Sequence, residues 1–81
     1  MNPDKFKFIY NYLYHSGPYQ DRLSPAEHNH LFSLGDGYGK MTVQQLQANG
    51  LTYDFSHIRD SSDEALERIY KELRNIVSQK V

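Results

Sequence analysis

No cysteine occurs among the 81 residues, which excludes a disulfide framework and any thiolate metal site. Tryptophan is absent as well, so the aromatic content rests on seven tyrosines and four phenylalanines. No stretch approaches the roughly 18 consecutive apolar residues of a membrane-spanning helix. Lys5 and Lys7 precede only a short tyrosine-rich run with no small-residue cleavage site, so no signal peptide is expected. An excess of one charge is missing too. Residues 1–40 hold four basic and four acidic side chains and residues 41–81 hold five and six, for a net charge of −1. Nonspecific nucleic-acid binding draws on clustered Lys and Arg that displace counterions from phosphates, and neither half offers such a cluster. The expectation is one soluble, cytoplasmic domain over residues 1–81, small enough that its stability margin is thin.

What the sequence does have is helix punctuation. Ser24-Pro25-Ala26-Glu27, Thr42-Val43-Gln44-Gln45 and Ser61-Ser62-Asp63-Glu64 all fit the S/T-x-x-E/Q capping box. There the first side chain accepts the N3 amide and the fourth accepts the cap amide. Asn2-Pro3 adds a fourth start signal. A first helix is expected from Pro3 to about His15, a second from Pro25 to about Leu34, a third from the Thr42 cap to Asn49-Gly50, and a fourth from Ser62 to about Gln79.

In the first helix Phe6, Ile9, Tyr10 and Leu13 fall on one stripe, while Phe8 and Tyr12 pair at i, i+4 on nearly the opposite side. Two apolar faces imply that the helix is sandwiched or that the second face meets a partner. The last helix carries one stripe, Ala65, Leu66, Ile69, Tyr70, Leu73, Ile76 and Val77, with Glu64–Arg68, Glu67–Lys71 and Arg68–Glu72 spaced at i, i+4 on its charged side. Between the third and last helices, Leu51 to Phe55 alternate apolar and polar, a pattern of extended chain laid over the core or of a small sheet. The fold class is therefore mainly α: a compact bundle of about four helices with one short extended segment, a small α+β arrangement being the variant.

Chemical motifs are scarce. Gly35-Asp36-Gly37-Tyr38-Gly39-Lys40 invites a phosphate-binding reading, but Met41 follows the lysine and Leu34 holds the position of the first Walker A glycine. Aligned as a calcium loop, the segment supplies Asp36 alone among carboxylates, with Gln45 where a bidentate glutamate is needed. A tight reversal between helices remains. His28 and His30 are two apart and point in different directions on a helix, whereas helical zinc sites use i, i+4 histidines; no metal site and no cofactor is expected. No nucleophile lies in a recognisable elbow, so no enzymatic activity is expected.

Two functions remain to weigh. The first is a protein-binding module, an adaptor, inhibitor or regulator able to self-associate, with Phe8, Tyr12, Tyr14, Tyr19 and Tyr38 as its contact residues. The alternative is a nucleic-acid-binding regulator built on helices 25–34 and 43–49, using Lys40, Gln44 and Gln45. Its connecting turn, Gly35 to Met41, is longer than the 3–4 residues typical of a helix-turn-helix.

Overall fold

In the computed structural model every residue is described except His15, Lys40, Thr52, Tyr53 and Val81, Gln20 and Val43 being described by backbone alone. Among the described residues there are five α-helices, α1 (Pro3–Leu13), α2 (Pro25–Ser33), α3 (Val43–Ala48), α4 (Phe55–Arg59) and α5 (Asp63–Gln79), with one 3-10 turn at Gln20–Arg22. The described residues contain no strand. The mainly helical bundle expected from the sequence is the fold.

Local chemistry starts each helix. Asn2 accepts the Asp4 amide at 2.7 Å with Pro3 at the first helical position. Both sides of the capping box form at Ser24/Glu27 and at Thr42/Gln45. The third box does not form. Ser62 caps α5, accepting the Ala65 amide at 3.2 Å, and Ser61 turns inward to donate to the His57 carbonyl at 2.7 Å. The Ser62 amide donates instead to Asp36 Oδ1 at 2.6 Å, and the Ser62 hydroxyl to Asp36 Oδ2 at 2.7 Å. A carboxylate 26 positions away performs the service that a capping glutamate gives locally.

The alternating segment Leu51–Phe55 is described only in part, with Asp54 extended and Phe55 helical. Thr52 and Tyr53 lie outside the described residues, Leu51 is exposed, and Phe55 opens α4 behind the Asp54 cap, whose carboxylate accepts the His57 amide at 3.1 Å. A capping aspartate followed by one turn of helix outweighs a short alternating pattern.

The core joins Ile9, Tyr12 and Leu13 of α1 to Leu31 of α2, Ile58 of α4, and Leu66, Ile69, Leu73 and Ile76 of α5, with Leu23 closing one side. Ion pairs follow this packing rather than the α5 surface. Lys5 reaches Glu67 at 3.2 Å across α1 and α5, and Lys80 reaches Glu27 at 2.9 Å. Glu67 is thereby drawn to the neighbouring helix and not to Lys71.

The glycine loop lies against α4. A Cβ on Gly37 would overlap the His57 carbonyl oxygen, so only glycine permits this backbone approach. Gly50, by contrast, has φ +72 and open space around it, as the left-handed end expected after Asn49 requires. Gly37→Ala is accordingly expected to destabilise by about 2–3 kcal/mol through overpacking and Gly50→Ala by about 1 kcal/mol through its φ alone, a ranking that urea unfolding of both variants checks.

Asp36→Asn is expected to cost about 1–2 kcal/mol at neutral pH, since an amide cannot accept both Ser62 bonds as a carboxylate does. Hydrogen bonding from the Ser62 amide holds the Asp36 carboxyl below its ordinary value of 3.8. The unfolded chain therefore takes up this proton first, and the contribution, full above that value, is lost as pH falls from it through the lower folded one. Urea midpoints across the acid range should fall less steeply for the Asn variant than for the wild type.

Candidate functional site

The five candidate aromatics divide into two groups. Phe8 and Tyr12 are joined by Tyr70 of α5 and Tyr19 of the connector. Ring centroids lie 5.6 Å apart for Tyr70–Phe8, 5.1 Å for Phe8–Tyr12 and 5.2 Å for Tyr12–Tyr19. The result is a continuous strip across α1. Its far end is fixed by the backbone, because the Tyr19 amide donates to the Asn11 carbonyl at 3.1 Å and brings the connector back over the helix. Tyr12 is 7% exposed, so it supports the strip from beneath and offers a partner only the edge that remains uncovered. Phe8 and Tyr70 are half-buried, and Tyr19 is 37% exposed. The second apolar face of α1 is thus largely sandwiched by α5 and the connector.

Cations sit on this strip at both ends. The Arg22 guanidinium lies 4.8 Å from the Tyr19 ring centre. At the other end Lys5 Nζ and the Arg74 guanidinium lie 5.2 and 5.8 Å from the Tyr70 ring, and Arg74 Nη1 donates to the Tyr70 hydroxyl at 3.4 Å. Ring quadrupoles attract such cations. Beside Tyr12, and lined also by Arg22, Val77 and Lys80, is a hollow of about 300 Å³. Lys5 and Lys80 are engaged by Glu67 and Glu27, whereas Arg22 and Arg74 are exposed and meet no carboxylate among the described residues.

Tyr14 and Tyr38 belong to the other side of the molecule. Tyr14 is half-buried against Tyr10 and Phe55, with both centroid distances 4.6 Å. It lines a wider groove of about 770 Å³ with Leu23, Phe32 and Phe55 as apolar walls and Asp21, His28, Asp54 and Arg59 among its polar groups. The Tyr38 hydroxyl donates to Asp54 Oδ1 at 2.8 Å, holding the phenol above and the carboxyl below their ordinary values. Two of the groove's charges are therefore already in use: Asp54 accepts from Tyr38 and caps α4, and Arg59 pairs with Asp60 at 3.0 Å.

His57 lies beneath the glycine loop, 1% exposed, with the Tyr38 ring 5.0 Å away. Burial pushes its imidazole below the ordinary 6.5, opposed by backbone hydrogen bonding with Gly35 and Phe32 and by the carboxylates of Asp36 and Asp54. No group of three or more His, Cys, Asp or Glu side chains that could hold a metal ion exists among the described residues.

Of the alternative residues, Lys40 lies outside the described set. Gln44 is exposed, and Gln45 spends its side-chain oxygen on the Thr42 amide at 2.9 Å. The helix they occupy, α3, is six residues long.

Sequence reading assigned Tyr70 to the core stripe and left Lys5, Arg22 and Arg74 unmarked. The available signal was spacing: Arg74 follows Tyr70 by four positions and Arg22 follows Tyr19 by three. Comparison with protein families, curated proteins and solved structures gave no match.

A pH measurement tests the buried node. With the folded pKa of His57 below 6.5, the unfolded state protonates first, so stability is full above that value and declines as pH falls beneath it. NMR titration should place the His57 ring below its ordinary value of 6.5, and urea midpoints should begin to drop under about pH 6.5, before the carboxylates titrate.

Proposed function

We propose that the chain is a protein-binding module, working in the cytoplasm as an adaptor, inhibitor or regulator, and that it meets its partner through the strip Tyr70–Phe8–Tyr12–Tyr19. The observation that carries this reading is the combination of Tyr19, exposed at 37%, with half-buried Phe8 and Tyr70 in one chain of ring contacts that passes over buried Tyr12. Tyrosine and arginine are enriched where proteins meet, since each joins a large contact area to a directional polar tip. Cysteine-free composition suits a reducing compartment. No helix among the described residues is long and apolar enough to cross a membrane, which fits a module that works away from the bilayer core.

Affinity capture from a native lysate, run with and without nuclease, tests the reading. A stoichiometric protein is expected to survive nuclease and to be lost when Tyr19→Asp replaces the exposed ring, with the circular dichroism of the variant unchanged. Recovery only in the absence of nuclease would instead favour the nucleic-acid alternative at Gln44 and its neighbours.

A further inference from the structure

Charge is distributed on this strip in a way that specifies its occupant. We infer that the surface receives an acidic, apolar protein segment: one aliphatic or aromatic side chain seats in the hollow between Tyr12 and Val77, and flanking carboxylates pair with Arg22 and Arg74. The inference rests on the protein-binding reading and names the partner's chemistry.

Net charge over the whole chain is −1, yet this face gathers Lys5, Arg22, Arg74 and Lys80 around four aromatic rings. Two of the cations already have carboxylates, at 3.2 Å for Lys5 and 2.9 Å for Lys80. The other two stand at opposite ends of the strip, Arg22 over Tyr19 and Arg74 over Tyr70, and meet no carboxylate among the described residues. Arginine's planar fork accepts a carboxylate in bidentate fashion, and resting on a ring restricts its motion before the partner arrives. Two such forks separated by an apolar strip complement a segment that alternates acidic and apolar groups.

Other occupants fit less well. A second copy related by a two-fold axis would bring the same arginines to the shared surface, where like charges repel. A nucleic acid requires several phosphate contacts and uncovered rings for base stacking. Here the Tyr70 ring carries two cations and the Tyr19 ring carries one.

The test uses fluorescence anisotropy with the full chain and three labelled probes: a short amphipathic peptide of leucines and glutamates, its counterpart with lysine for glutamate, and a DNA duplex. The glutamate peptide is expected to bind and the lysine peptide not. Arg22→Glu and Arg74→Glu should each weaken binding about tenfold. Lys7→Glu makes the same change in net charge from an exposed position that takes no part in the strip, and should alter affinity less than about twofold. Arg22 and Arg74 are exposed, so their variants should lose only the ring contacts and still unfold cooperatively with wild-type circular dichroism, which separates lost binding from lost fold. Equal or tighter binding of the lysine peptide, an effect of Lys7→Glu as large as the arginine reversals, or no binding of either peptide overturns the acidic-partner assignment. The protein-binding reading is decided separately, by the nuclease-resistant capture and its loss in Tyr19→Asp. Duplex binding without peptide binding, together with a nuclease-sensitive capture, removes both.

Discussion

Asp36 is the residue on which the arrangement of the second half depends. Its carboxylate takes two hydrogen bonds from Ser62, and its own amide donates to Ser61 Oγ at 3.0 Å. The glycine loop is thereby attached to the first turn of α5, and because Ser61 also bonds the His57 carbonyl, α4 is held in the same corner. The Ser62 amide and the His57 carbonyl would otherwise be an unpaired helix-end donor and acceptor. The absence of a side chain at Gly37 lets the loop come this close. Loop, short helix and long helix thus share one joint, and Ile58 and Leu66 enter the core from either side of it.

Much of the architecture was legible because its causes are local. A cap acts over three residues and an amphipathic stripe over one helix, so Ser24, Thr42, Gly50 and the Ile69–Leu73–Ile76 face could be found without knowing what surrounds them. Ser61 misled for a related reason. It satisfies the box pattern, but a competing acceptor at Asp36 and a nearby carbonyl at His57 give the two serines separate tasks. Nothing in the spacing of the chain announces a partner 26 positions distant. At Phe55 the alternating pattern was outweighed in a similar way, by Asp54 capping a helix only five residues long.

The candidate surface was legible in its ingredients and not in its assembly. Phe8 and Tyr12 announce a second face of α1, yet whether that face is open depends on where Tyr70 and Tyr19 arrive, which is tertiary information. This closure leaves Tyr12 mostly covered and brings Tyr70 and the arginines alongside it. Tyr14 and Tyr38, grouped with the others by residue type, separate because α4 draws both toward Phe55 and Asp54.

Lys5 and Glu67 meet across 62 positions of sequence, and the same separation bears on how the chain reaches its fold on the ribosome. The side of α1 that carries Ile9 and Leu13 has no long helix to pack on until α5 has been synthesised. Until then the nascent chain holds a short helix, too brief to persist in water without tertiary support, with Phe6, Phe8, Tyr10 and Tyr12 uncovered. Folding must therefore wait until translation has passed α5. A pause in elongation before α5 emerges would lengthen the time during which those aromatic residues are open to a chaperone.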